Sequence, residues 1–406
     1  MKGMILAAGK GTRIKPISYA IPKPMVPILG KPVMESMIQL FAKHGIDKIV
    51  INTSHLAEII ENYFGDGHHF NVQLSYSYEA TEVNGEYVSQ ALGSAGGMRK
   101  IQDFSGFFDD TFIVVCGDAW IDLNLKEAVE HHKKHGGLAT IITREVPTSE
   151  VSKYGVVVTD KYEQVVSFQE KPLESEALSN KINTGIYIFE PAVFDFIPKD
   201  TEFDIGSDLF PLLVERKAHF YAVNMDFQWL DVGKVKDIWE VTSEILNGKV
   251  KGYPIPGTQM APGVWVGINT QIDISKCKIT PPVIVSSGCE IQNGATIIGP
   301  AVIGANCKVD SRSLLSNTLI CDYVHLADDA YIVNKTMFGD YLIGHDGYTQ
   351  LLSECQYVSI LKNRNVSRPP MGKNSMNEVY SAVEVTQAAP KAKSEVKVDR
   401  PLLQIK

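Results

Sequence analysis

Aliphatic residues recur every six positions through the second half of the chain: Ile279, Val285, Ile291, Ile297, Ile303, Val309 and Leu315. After one five-residue step the series resumes at Ile320, Leu326, Ile332 and Phe338. Two positions ahead of members of the first series stand small side chains, Cys289, Ala295, Ala301, Cys307 and Ser313. One large and one small inward side chain per six residues suit a tight coil of short parallel strands in which each turn stacks on the next. A sandwich or jelly roll would alternate with period two and has no reason to keep hexads. The expectation is a left-handed β-helix of hexapeptide repeats over residues 251–345. Residues 346–406, with Pro369, Pro370 and the stretch from Ala388 to Lys393, are expected to form a flexible tail.

Residues 1–250 have another texture. Met4 to Ala8, Lys48 to Asn52, Phe112 to Cys116, Ala139 to Thr143 and Gly155 to Thr159 are β-rich runs. Between them, Met37, Leu40 and Phe41, then Leu56, Ile59, Ile60 and Tyr63, fall at helical spacing. Such alternation predicts an α/β unit: a Rossmann-like, mostly parallel sheet with helices on both faces, whose ligands sit at the carboxyl ends of its strands.

The 39 basic and 47 acidic side chains give a formal net charge of −8, which speaks against a nucleic-acid or anionic-membrane binder and leaves small anionic substrates open. No apolar run approaches the roughly 18 residues of a spanning helix. Met4 to Ala8 is too short for a signal-peptide core, so a cytoplasmic location is expected. The six cysteines form no CxxC pair and read as reduced thiols.

Chemistry concentrates where the first strand ends, in Leu6-Ala7-Ala8-Gly9-Lys10-Gly11-Thr12-Arg13. Glycines there let main-chain N–H groups approach a phosphate, and the neighbouring Arg13 can clamp phosphate oxygens in bidentate fashion. Ile14 stands where a dinucleotide fingerprint needs its third glycine, and the glycine spacing is too short for a P-loop. By itself the turn also reads as a plain strand-to-helix connection. Pro22 and Pro24 flank Lys23 and are expected to hold it on a stiff extended stretch, aimed at an anion. Asp118 follows the apolar strand Phe112 to Cys116, and Asp231 follows the β-like stretch Phe220 to Met225. Read alone, each is also an ordinary loop aspartate.

Leu6 to Arg13, followed by Pro22-Lys23-Pro24-Met25-Val26-Pro27 and Gly30-Lys31-Pro32, resembles the opening signature of the sugar-1-phosphate nucleotidylyltransferases. The likeness continues through Ala91-Leu92-Gly93-Ser94-Ala95-Gly96-Gly97, Gly117-Asp118, Gly155-Val156-Val157, Glu170-Lys171-Pro172, Asn183-Thr184-Gly185 and Trp229-Leu230-Asp231-Val232-Gly233. It spans residues 1 to about 245, and hexapeptide coils are common partners of the domain in that family. Within the family the chain is most similar to the cyanobacterial-type enzymes that make UDP-glucose, a group often labelled mannose-1-phosphate guanylyltransferase.

The resemblance implies a nucleoside triphosphate and a hexose 1-phosphate as partners, Mg²⁺ as cofactor, and a nucleotide-sugar with pyrophosphate as products. It assigns Arg13, Lys23, Asp118, Lys171 and Asp231 to catalysis, with Asp118 and Asp231 on the metal. Leu6, Ala7, Ala8, Gly9, Gly11, Thr12, Arg13, Gln90 and Gly93 are assigned to the nucleotide, and Lys23, Gly155, Glu170, Lys171 and Asn183 to the sugar phosphate. The reaction suits such a set, because nucleophile and leaving group are both ionised already and catalysis is mainly positioning and charge neutralisation. Several branches read the base with a glutamine or glutamate five residues ahead of the glycine matching Gly93. Val88 stands there in this chain, so Gln90 or Glu79 is the candidate in its place, and uracil, guanine and thymine stay open. Likeness favours UTP with glucose 1-phosphate over formation of GDP-mannose or of a thymidylyl sugar. The coil suggests a scaffold for homo-oligomers. His325 and His345 keep an acyltransferase reading open, while joint retention of Arg13, Lys23, Asp118, Lys171 and Asp231 speaks against a catalytically silent regulatory subunit.

Overall fold

A computed structural model describes residues 1–361, and the chain divides into two compact units, Met1–Asp237 and Ile238–Lys406. The division falls inside the helix Val235–Leu246, upstream of the change in texture near residue 250.

The first unit is built on a nine-stranded sheet. Its main path runs Val165–Glu170, Gly155–Thr159, Lys181–Phe189, Phe112–Cys116, Lys2–Leu6, Lys48–Thr53 and Gln73–Tyr78. Ala139–Glu145 pairs with Lys181–Phe189 and, in parallel, with Phe220–Asn224. The parallel arrangement holds around the first strand, where Leu6 lies between Asn52 and Cys116. Lys181–Phe189 instead runs antiparallel to Phe112–Cys116 and to Ala139–Glu145, making the sheet mixed. It follows a hairpin, Gly155–Thr159 with Val165–Glu170, and an antiparallel partner needs no helical crossover.

Successive strand residues bury on opposite faces. Met4, Val114 and Ile141 join one apolar cluster, while Ile5, Ile113, Val115 and Ile142 join the other. Val33–Lys43 covers one face with Met34, Met37, Ile38 and Phe41, and Ser94–Ser105 covers the other with Met98 and Ile101. Each such side chain contributes about 1.5–3 kcal/mol on burial. Because Lys2–Leu6, Lys48–Thr53 and Phe112–Cys116 run parallel, Leu6, Thr53 and Cys116 end at one edge, and the loops that follow them meet there.

The second unit is the hexapeptide coil. Val283 pairs with Ala301, Glu290 with Lys308 and Thr296 with Leu314, eighteen residues per turn. Beyond that the offset falls to seventeen, with Lys308 opposite His325 and Leu314 opposite Tyr331. The five-residue step in the hexads is the cause: Asn317 alone, at φ 55°, stands across from both Gly299 and Pro300. Val285, Ile291, Ile297, Ile303, Val309 and Leu315 are buried on the axis together with Cys289, Ala295, Ala301 and Cys307. Residues 346–361 do not open a flexible tail. Thr349–Leu351 pairs with Tyr341–Gly344, and Val358–Ile360 pairs with Val324–Leu326, which caps strand edges the coil would otherwise expose. The rest of the expected tail, residues 362–406, lies outside the described residues. All six cysteines are free, and no helix among the described residues is long and apolar enough to cross a membrane.

Candidate active site

At the shared strand edge lies a cavity of about 300 Å³. Leu6, Ala7, Ala8 and Gly9 form one wall, Ala91, Gly93 and Ser94 another, and Lys23, Pro24, Asn52, Glu79, Cys116, Asp118 and Asp204 close the remainder. The first wall leaves the sheet at Leu6, whose carbonyl accepts the Gly117 N–H at 3.0 Å, and the Ala7 N–H donates to Asn52 Oδ1 at 2.9 Å. Gly11, at φ 59°, then turns the chain into the 3-10 turn Thr12–Ile14 that carries Arg13. A Cβ there would lie 3.2 Å from Lys23 Cβ, so the turn packs against the lysine segment. Lys23 is not on an extended stretch: Lys23–Met25 is a single 3-10 turn. Pro24 falls in its first positions, where the missing N–H costs nothing. The outcome is still a held lysine, half-buried, with its ammonium on Asp118 Oδ2.

Asp118 and Asp231 come together through strand pairing. Trp229–Asp231 runs antiparallel to Ala119–Ile121 with Asp231 opposite Ala119, and the Val232 N–H donates to the Asp118 carbonyl at 3.2 Å. Burial and then the Asp118 charge push the Asp231 carboxyl up to about 6, while Lys23 and Arg13 pull the other way. Gly233 brings these groups close, since a Cβ on it would sit 3.3 Å from Asp231 Oδ2 and 3.7 Å from Arg13 Nη1.

This donor set suits a hard divalent cation. A positive ion shared by two carboxylates this close offsets their mutual repulsion, and both offer oxygen only. Among the described residues no group of three or more His, Cys, Asp or Glu side chains is arranged for a metal. An ion here would therefore complete its shell with water and phosphate oxygens, the usual habit of Mg²⁺.

A second cluster borders the cavity. Gly155 pairs with Glu170 across the hairpin, and a Cβ on Gly155 would lie 3.1 Å from Glu170 Oε2. Glu170 Oε1 accepts the Lys171 ammonium. Lys171 sits at φ 45°, a left-handed conformation that costs a non-glycine residue about 1–3 kcal/mol and is concentrated at functional sites. Its N–H donates to the Tyr154 carbonyl, and the Tyr154 ring meets Trp229 at 5.2 Å. Burial, and next the nearby Asp231 charge, push the Tyr154 hydroxyl up to about 12, which ties this cluster to the carboxylate pair. Asn183 donates from Nδ2 to Tyr187 Oη at 3.0 Å and holds the Gly185 N–H on Oδ1. Burial raises Tyr187 far above its ordinary value, with charge from Cys116, Asp204 and Glu170 adding to it.

Of the residues singled out in the sequence, Leu6, Ala7, Ala8, Gly9, Lys23, Gly93 and Asp118 line the cavity. Arg13 and Asp231 adjoin it through Lys23 and Asp118, with Gly11 and Thr12 in the Arg13 turn. Gly155, Glu170, Lys171 and Asn183 form the bordering cluster. Gln90 stands apart: it is exposed, off the cavity wall, and its carboxamide oxygen accepts from Thr81 Oγ1. Glu79, the other candidate for the base, is at the cavity but wholly buried, with both carboxylate oxygens already bonded. Asn52, Cys116 and Asp204 were passed over. Asn52 had a readable signal, standing at the carboxyl end of a parallel strand. Asp204 had none, since Asp-Ile-Gly reads as a turn; it caps Ile205–Leu209 and accepts from Ser94 Oγ at 2.7 Å.

A family model described as nucleotidyl transferase matches residues 2–248. A UTP–glucose-1-phosphate uridylyltransferase of Synechocystis sp. is 52% identical over 347 residues, covering 86% of this chain and 89% of the relative. A mannose-1-phosphate guanyltransferase of Saccharomyces cerevisiae is 33% identical over 277 residues, 67% of this chain and 72% of the relative. A crystal structure of a candidate glucose-1-phosphate thymidylyltransferase from Bacillus anthracis, in complex with sucrose, superposes with a TM-score of 0.52. It is 22% identical and covers 63% of this chain and 98% of its own, a likeness of fold.

Proposed function

The chain belongs to the nucleotidyl transferase family, and from that membership we propose that it joins UTP and glucose 1-phosphate into UDP-glucose and pyrophosphate. What carries the reading is the meeting of Asp118 and Asp231 beside Lys23 and Arg13 at the mouth of the strand-edge cavity. Preference for uracil and glucose is supported by the relative that is 52% identical and named a UTP–glucose-1-phosphate uridylyltransferase.

The main chain from Leu6 to Gly11 receives the nucleotide, with Thr12 and Gly93 beside it, and the Arg13 guanidinium faces the triphosphate oxygens. Glu170, Asn183 and the Gly155 main chain hold the hexose, and Lys171 meets its phosphate. An oxygen of that phosphate attacks the α-phosphorus, a new P–O bond forms, and the bond to pyrophosphate breaks with its electron pair leaving on pyrophosphate. No proton changes hands, so the site needs no general base. Asp118 and Asp231 hold the divalent cation, taken to be Mg²⁺, which when bound neutralises phosphate charge and orders the phosphate oxygens. Lys23, fixed by Asp118, keeps a cation beside the phosphates and limits the motion its long side chain would otherwise have.

The free thiols support a reducing, cytoplasmic setting. The coil is read as a homo-oligomer contact, supported by Met260 and Ile268, apolar side chains exposed on the second unit. Pyrophosphate release, measured for four nucleoside triphosphates against the 1-phosphates of glucose, mannose, galactose and N-acetylglucosamine, tests the proposal. UTP with glucose 1-phosphate is expected to lead. A lead for GTP with mannose 1-phosphate would overturn the specificity, and release from no pair would overturn the reaction.

A further inference from the structure

Asn52 and Glu79 are polar side chains only 2% and 0% exposed, and both border the nucleotide cavity. Their bonds form a directed chain. The Ala7 N–H donates to Asn52 Oδ1 at 2.9 Å, which fixes the carboxamide so that Asn52 Nδ2 faces and donates to Glu79 Oε1 at 2.8 Å. The other carboxylate oxygen, Oε2, accepts the Leu92 N–H at 2.8 Å. Both neighbours of Glu79 are donors, so its two carboxylate oxygens must both accept. Burial raises the Glu79 carboxyl above its ordinary value, and the bonds from Leu92 and Asn52 oppose that rise. The surroundings are tight. A Cβ on Gly97 would fall 2.2 Å from Glu79 Oε1, so the helix Ser94–Ser105 begins against the carboxylate. Gly93, at φ 75°, is pressed against Phe203, whose carbonyl oxygen would be 2.5 Å from a Cβ there.

We propose that Asn52 and Glu79 are a positioning couple that fixes the two main-chain walls of the nucleotide cavity, at Ala7 and at Leu92–Gly93, and thereby sets affinity for the nucleoside triphosphate. The proposal rests on the nucleotidyl-transfer reading and assigns neither residue a contact with the reacting phosphates. A carboxyl group 27 residues from its hydrogen-bonding partner in sequence links strand ends that the fold brings together. Losing one acceptor leaves a buried N–H unpaired and frees one wall, while the bordering Glu170–Lys171 cluster is untouched.

The test exploits the direction of the chain. Glu79→Gln sets an N–H against either Asn52 Nδ2 or the Leu92 N–H. In the double variant Asn52→Asp with Glu79→Gln, the new carboxylate accepts from Ala7 N–H and from the new carboxamide, whose oxygen accepts from Leu92 N–H. Every bond re-forms with the middle donor and acceptor exchanged. Equilibrium binding of UTP, with GTP as second probe, is measured with Mg²⁺ for wild type, Glu79→Gln and the double variant, alongside both Michaelis constants. Glu79→Gln is expected to weaken UTP binding roughly ten- to a hundredfold, with the constant for glucose 1-phosphate within about twofold, and the double variant is expected to recover. UTP binding unchanged in Glu79→Gln would overturn the inference, as would a folded double variant that binds no better than the single one. If Glu79→Gln does not fold, native-like UTP binding by the double variant supports the couple and weak binding by it overturns the couple. Binding that follows the expected pattern without pyrophosphate release in the wild type would sink the proposed reaction and keep the couple. Normal release with unaltered Glu79→Gln binding would do the reverse, and a wild type that binds neither nucleotide would overturn both.

Discussion

Lys171 shows how much a single position can disclose. Its left-handed backbone is strained for any side chain with a Cβ, so Lys171→Ala keeps the strain and removes the side chain beyond Cβ with its ammonium. The Michaelis constant for glucose 1-phosphate is then expected to rise about tenfold or more with that for UTP nearly unchanged, and equal rises would contradict the assignment. His132 behaves differently, being structural. It is buried between Thr140 Oγ1 and Glu190 Oε1, at 2.7 and 3.1 Å, and burial lowers its pKa below the ordinary 6.5, with Glu190 opposing. A histidine depressed in the folded state is neutral there while the unfolded chain takes up a proton. Its share of stability is therefore full above about pH 6.5 and drains away as pH falls through the folded value. Melting temperature should drop more between neutral and mildly acid pH in the wild type than in His132→Gln, and parallel curves would contradict this. At this scale the sequence pointed to residues whose neighbours along the chain mark them out, such as Arg13 beside Gly11 and Lys23 between prolines, and the fold places both beside the cavity. The sequence hid Asn52 and Asp204, and it offered Glu79 only as a base-reading candidate, because the bonds of all three go to groups remote in sequence.

Among elements, the coil was the most legible, because each of its turns repeats the same burial problem. Its first irregularity is written in the chain, as the five-residue step that Asn317 resolves at φ 55°. A second one was missed: Met337, five residues after Ile332, is buried in place of the expected Phe338, with Asn334 at φ 55° in the corner. Asn317 also donates from Nδ2 to Asn334 Oδ1 at 2.6 Å, one turn on. Asn317→Val should cost about 1–2 kcal/mol more than Asn317→Gly, since both lose that bond and only valine is strained there. Denaturant unfolding of the two variants checks it, and equal stabilities would contradict the corner assignment. The first unit was less readable. Strands buried on both faces give apolar runs without a sign of direction, so the antiparallel course of Lys181–Phe189 was missed. The hairpin Ala80–Val83 with Glu86–Ser89 went unseen as well, although Asn84-Gly85 at its tip is a recognised turn signal. That hairpin separates Glu79 from Gln90 and explains why spacing to Gly93 did not locate a base-reading side chain.

For the whole molecule, two units with separate cores divide the labour: the first carries the chemistry, and the second is proposed to carry assembly. Light scattering should give a larger multiple of the chain mass for the full protein than for residues 1–250, and equal multiples would contradict assembly through the coil. The enzymatic account itself depends on two carboxylates from distant parts of the first unit acting on one cation. Turnover of UTP and glucose 1-phosphate by Asp231→Asn, at saturating Mg²⁺ and with melting followed in parallel, addresses this most directly. A folded variant slowed about a hundredfold or more is the predicted result; a folded variant at near-native rate would contradict it.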